Sequence, residues 1–305
     1  MNMQAPTIAA PSISSSAVLI DLSISCWTGR KLDKRASNDI TTQNGAAKGV
    51  ANVHKKLLGD CAELDAVQKF AANARNAHYA MTMPWSDLGM RLCPTAKYIG
   101  TPDRDGYEST MTDLQNEFWR LVQLFLDAYD WERGQAQVKL GGMWNSDDYP
   151  TREAIASKFK FRFVAIPLPD AGDWRLDIGN EAAAVMREQY EKFYGDQLTK
   201  AMNDVWGRAH EALSKMSERL DYADDTTKKV FRDTLVTNVQ EIVDLLGTMN
   251  VTGDPVMADA HRRLDQAMQG ITPDALREDA YLRAQTKRQV DEVKRIIDNL
   301  PGLGF

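Results

Sequence analysis

The run Lys158-Phe159-Lys160-Phe161-Arg162-Phe163 alternates aromatic and basic residues without a break. Such strict alternation fits only a strand with one buried face and one charged face, because successive side chains on a strand point to opposite sides. A second alternating run, Asp173 to Ile178, places Trp174, Leu176 and Ile178 on one side, so the pair reads as a β-hairpin. Ala17 to Cys26 alternates as well, with Val18, Ile20, Leu22, Ile24 and Cys26 apolar against Asp21, Ser23 and Ser25. A lone hairpin is marginal in water, so this strand is expected to join it in a sheet of about three strands.

Nearly everything else has helical spacing. Residues 45–80 read as one long helix or two broken near Gly59, and Tyr107 to about Asp130 reads as another helix. Pro150-Thr151 opens a short helix, and Pro84, Gly89, Pro94, Gly100 and Pro102 punctuate an irregular stretch. From Glu181 to Leu220 there is no proline, and Leu198, Ala201, Val205, Ala209, Leu213 and Met216 form an apolar stripe. Further helices are expected over 226–247, after Gly253-Asp254-Pro255, and from Thr272-Pro273 to about Pro301. In the last, threonine supplies a cap and proline the first helical residue. The fold predicted is α+β, predominantly α: a small antiparallel sheet covered by helices, plus a long C-terminal helical hairpin or bundle. The expected division is a loose tail over 1–16, an α+β domain over 17–180 and a long-helix domain over 181–305.

Composition narrows the function classes. The chain has 305 residues and a formal charge of −6, which argues against general coating of nucleic acid. Residues 30–56 nevertheless carry seven Lys/Arg against two acids. Cys26, Cys61 and Cys93 are odd in number and widely spaced, so a disulfide framework is not expected and a reducing cytoplasm is the natural setting. The first sixteen residues carry no charge, unlike the basic start of a secretory signal, and no run reaches the ~20 apolar residues of a membrane span.

Catalytic signatures are missing. Gly29-Arg30-Lys31 lacks the spacing of a phosphate loop, and Asp103-Arg104-Asp105-Gly106 has threonines where a calcium loop needs carboxylates. His54, His78, His210 and His261 make no metal-ligand pair. Neither cofactor, metal site nor catalytic residue is expected. Two features remain. Arg30, Lys31, Lys34 and Arg35 would converge with Lys158, Lys160, Arg162 and Arg175 if the first strand lies beside the hairpin, offering phosphates a basic face. Pairing with Asp173 and Asp177 would instead neutralise part of it. Trp27, Trp85, Trp144 and Trp174 lie near strand ends or loops, where core anchoring is their commoner use.

Several motifs occur together in a familiar order: Ser25-Cys26-Trp27-Thr28-Gly29-Arg30-Lys31-Leu32, Met83-Pro84-Trp85-Ser86-Asp87-Leu88-Gly89, Tyr149-Pro150-Thr151, Pro167-Leu168-Pro169 and Gly172-Asp173-Trp174-Arg175. Over roughly 17–180 the chain resembles a family of uncharacterised proteins from tailed bacteriophages and integrative mobile elements. The resemblance implies a phage-type setting and an assembly linked to a MoxR-type AAA+ ATPase, with no activity or catalytic residues to carry over. The reading is therefore a non-enzymatic accessory or scaffold protein, a homo-oligomer or a partner of another phage or host protein. The alternative is a nucleic-acid-binding protein of phage replication or recombination.

Overall fold

The computed structural model describes residues 16–168, 180–222 and 232–303. Its first elements are β1 (Ala17–Ser25), β2 (Arg30–Leu32), α1 (Lys34–Gln43), β3 (His54–Lys56), α2 (Ala62–Met81), β4 (Met83–Pro84), β5 (Arg91–Pro94), α3 (Thr95–Ile99), β6 (Gly100–Thr101) and β7 (Arg104–Asp105). There follow α4 (Tyr107–Leu140), α5 (Arg152–Ala156), β8 (Lys160–Pro167), α6 (Asn180–Leu220), α7 (Thr234–Thr248), α8 (Pro255–Met268), α9 (Pro273–Glu278) and α10 (Ala280–Asp298). The architecture is α+β and predominantly α, with a four-stranded antiparallel sheet in the order β4-β5-β1-β8. β1 therefore does neighbour β8. The second strand expected of the hairpin, over 173–178, lies outside the described residues.

The chain forms two compact units. One gathers the chain up to Asp21, Met81–Gly106 and the chain from Ala165 onward; the other comprises Leu22–Ala80 and Tyr107–Val164. The sequence suggests a single cut at residue 180, whereas these units interleave. The reason lies in tertiary bonds inside the first unit: Arg208 Nη2 donates to the Thr82 carbonyl at 3.0 Å, and Arg104 pairs with Asp244 at 2.5 Å. These contacts tie the β4–β7 stretch to helices far along the chain.

In this first unit α6 packs against α7 and α10, and α8 packs against α7 and α10. The stripe Ala201, Val205, Ala209, Leu213 and Met216 is wholly buried there together with Val239, Leu246, Leu264, Val290 and Val293. The apolar stripe read in the sequence is thus consumed by the unit's own bundle. Local signals set the helix starts. Asp254 Oδ1 accepts the Val256 amide at 2.8 Å ahead of Pro255, and Thr272 Oγ1 accepts the Ala275 amide at 3.2 Å ahead of Pro273. The last predicted helix is two helices, because Asp279 recaps the chain by accepting the amides of Tyr281 and Leu282. The stretch once compared with a calcium loop is a tight hairpin, pairing Gly100 with Asp105 and Thr101 with Arg104.

The second unit is built on aromatic packing. Trp27 lies 5.9 Å from Phe125 and 6.0 Å from Tyr129, and Phe118 and Phe125 meet Phe159 and Phe161 between 5.4 and 6.4 Å. Phe161 on β8 and Phe159 just before it are buried while Lys160 and Arg162 are exposed, as the alternation predicts. The predicted helix over 45–80 is corrected: α2 starts only at Ala62, and His54–Lys56 pairs with Arg30–Leu32 as a two-stranded ribbon. Gly45, Gly49 and Gly59 all take positive φ, which interrupts helical propagation before Ala62. Conversely α4 runs ten residues past the expected end near Asp130, to Leu140. No helix among the described residues is long and apolar enough to cross a membrane.

Candidate functional site

The cations singled out in the sequence stand on separate elements. Arg30 and Lys31 stand on β2, which pairs β3, while Lys160 and Arg162 stand on β8, which neighbours β1 in a different sheet. Lys34 and Arg35 open α1 behind the Asp33 cap, whose Oδ1 accepts the Ala36 amide at 3.0 Å. Lys158 precedes β8, and its carbonyl accepts a hydrogen bond from Ser25 Oγ. Arg175 lies outside the described residues.

Lys31 is engaged. Its ammonium meets Asp148 at 2.7 Å, and Lys55 meets the same carboxylate at 2.7 Å, approaches Asp33 at 3.7 Å and donates to the Met143 carbonyl at 2.5 Å. The side chains of Lys55 and Asp148 are only 9% and 8% exposed, and this pair joins the ribbon to the segment after α4. Burial works to raise the Asp148 pKa, but the hydrogen bonds from Lys31 and Lys55 outweigh it and hold the carboxyl below its ordinary range.

A second cluster gathers around Cys61, the residue just before α2. Its thiol donates to Glu63 Oε2 at 3.6 Å, and the ligand-type atoms of Cys61, Glu63 and Glu132 all lie within 4.8 Å of one another. Cys61 and Glu132 are buried. Lys139, two turns along α4, gives its ammonium to Glu132 Oε2 and to the Asp60 carbonyl, each at 3.1 Å. Burial pushes the Cys61 thiol up to about 11, with the two glutamates adding to the effect. As a nucleophile this cysteine is held in its unreactive form. Residue spacing gave no hint of the cluster, because Glu132 reaches Cys61 only through the packing of two helices.

Buried His78 Nδ1 bonds Tyr107 Oη at 2.8 Å, and His210 Nε2 meets Asp298 at 3.0 Å, whereas His54 is exposed on β3 and Trp174 lies outside the described residues. Trp27 and Trp85 are core anchors.

The remaining feature is the outer face of α4. Leu124, Trp131 and Val138 recur every seven residues and are 48%, 63% and 82% exposed. Seven residues are two helical turns with a drift of only ~20°, so the three side chains share one stripe about 21 Å long. Gly134 lies on the same side three residues after Trp131, and a Cβ placed there would meet nothing within 4 Å. Ion pairs lie close by: Arg120 with Glu117 at 2.6 Å, where Glu117 heads the same line seven residues before Leu124, and Arg152 with Asp127 at 2.5 Å. An apolar seam with charged margins is the surface that an amphipathic partner helix covers. The sequence reading ends this helix near Asp130, short of Trp131 and Val138. The heptad spacing of Leu124, Trp131 and Val138 was the available signal. No protein-family profile, curated protein or solved structure matches this chain.

Proposed function

We propose that this protein is a non-enzymatic assembly or scaffold protein that works by protein–protein contact through the outer face of α4. The observation that carries this reading is the exposed stripe Leu124–Trp131–Val138 on a 34-residue helix. Three large apolar side chains in one line are costly to leave in water, and covering them is favourable by ~25 cal/mol per Å². Gly134 supports the reading from the opposite direction. An exposed glycine inside a helix costs ~1 kcal/mol relative to alanine, and no neighbour in its own chain requires the missing side chain. Its use is to let another backbone come close beside Trp131.

The docking surface on this reading is α4, in place of the C-terminal stripe whose apolar residues are buried in their own bundle. An AAA+ ATPase of the kind the sequence resemblance implies is the first partner to try. The basic residues fit the scaffold reading better than a phosphate track, since Lys31 and Lys55 are taken up by Asp148.

Size-exclusion chromatography with light scattering, on cell extract and on purified protein, tests the proposal. An assembly well above the 34.2 kDa chain mass that collapses in the double variant Trp131→Ser/Val138→Ser is the expected result. A particle of monomer mass in both samples, or an assembly indifferent to the double variant, overturns it.

A further inference from the structure

We propose that Cys61, Glu63 and Glu132 form a zinc-binding site that clamps the start of α2 to α4. The inference is independent of the docking face. Three kinds of observation carry it: donor chemistry, spacing and charge.

A thiolate with two carboxylates suits a borderline-soft divalent ion; magnesium and calcium take oxygen donors alone. The spacing fits. A tetrahedral zinc with a Zn–S bond of about 2.3 Å and a Zn–O bond of about 2.0 Å has an S···O edge of about 3.5 Å. Cys61 Sγ lies 3.6 Å from Glu63 Oε2, and all three donor atoms fall within 4.8 Å of one another. Little more than a rotamer adjustment separates this arrangement from a first coordination shell.

Charge completes the case. With the thiol protonated, the three donors carry two carboxylate charges, and Lys139, bonded to Glu132, offsets one of them, which leaves the four groups together one negative charge in excess. A divalent ion that displaces the thiol proton adds two positive charges and one negative, which brings the group to neutrality. Lys139 then keeps its hydrogen bond to Glu132 Oε2, fixing the carboxylate from outside as partners of metal ligands commonly do. The Asp60 carbonyl, which also accepts from Lys139, ties the loop before Cys61 into the same arrangement.

The test is titration of the full-length, chelator-treated protein with Co(II) and then Zn(II). One Co(II) per chain is expected, with the thiolate-to-cobalt charge-transfer band and tetrahedral visible bands, all removed by one equivalent of Zn(II). Cys61→Ser should abolish the charge-transfer band, whereas Cys26→Ser and Cys93→Ser should leave it intact. Glu63→Gln, at a half-buried position, should weaken zinc binding about tenfold or more. Zinc should raise the melting temperature of the native protein and not that of Glu63→Gln. A charge-transfer band that survives Cys61→Ser, or no cobalt bound at stoichiometric protein, overturns the proposal.

Discussion

Glu132 and Lys139 lie two helical turns apart on α4, and the carboxylate of the first accepts the ammonium of the second at 3.1 Å. Glu132 is 8% exposed at its side chain and Lys139 37%, so the pair spans the boundary between core and solvent. The same ammonium binds the Asp60 carbonyl, which makes Lys139 the link between α4 and the loop leading into α2. Removing one member of such a pair leaves the other buried without compensation. Lys139→Met should therefore destabilise the protein by ~2–4 kcal/mol, and Glu132→Gln by less, since the amide still accepts a hydrogen bond. Urea denaturation of both variants checks the order; equal losses would contradict it.

The Lys31–Asp148–Lys55 network makes stability depend on pH. The folded Asp148 carboxyl is held below its ordinary value, so the unfolded chain binds this proton more readily than the folded one. Its contribution is present in full above the unfolded carboxylate pKa of about 3.9 and is lost as pH falls through the lower folded value. Asp148→Asn should flatten the acid limb of a stability-versus-pH curve and leave two lysines facing a neutral amide. An acid limb identical to that of the native protein would remove Asp148 from this role.

His78 and Tyr107 form a buried hydrogen bond of 2.8 Å between α2 and the first residue of α4. Tyr107→Phe keeps the ring, which is fully buried, and removes only the hydroxyl. The expected loss is ~1–2 kcal/mol in chemical denaturation, from the bond and from the imidazole nitrogen left without that partner. A loss above that range would mean that the hydroxyl serves more than this one bond.

Gly100 and Gly106 stack backbone on backbone at the β6–β7 hairpin. A Cβ on Gly106 would sit 2.4 Å from the Ile99 carbonyl carbon, and Gly100 has φ +82°. Gly106→Ala cannot be absorbed by a rotamer change, because the obstacle is main chain. A loss of ~3 kcal/mol or more is expected from overpacking and strain, read as a fall in melting temperature. A melting temperature within a degree of the native value would contradict this packing.

Gly134 separates stability from assembly. Gly134→Ala meets open space, so it should raise stability by ~1 kcal/mol through helix propensity alone. The added methyl should at the same time weaken the association that α4 supports, measured by light scattering. Tighter association in the alanine variant would refute the role given to this glycine.

The legibility of the fold tracked the range of the interactions involved. Thr151, Asp254-Pro255 and Thr272-Pro273 act on amides two or three residues away, and each helix start they announce is present. The alternation around Phe159 and Phe161 likewise revealed its buried face. The ribbon between Arg30–Leu32 and His54–Lys56 was not legible, because short polar strands carry no periodic signal and their pairing depends on residues more than twenty positions away. Lys31 looked like a free cation for the same reason: its acidic partner, Asp148, is remote in sequence.

Local chemistry written in the chain determined its class, a mainly helical protein with a small sheet, together with most helix starts and the inward face of β8. Hydrogen bonding to nearby amides and side-chain periodicity need no knowledge of what packs where. Tertiary structure alone decided which stripes are used up and which stay open. It buried the alanine-rich stripe of α6, left Leu124, Trp131 and Val138 facing water, and brought Glu132 to Cys61. Those outcomes depend on which helix faces meet, and burial and charge pairing are properties of the meeting faces.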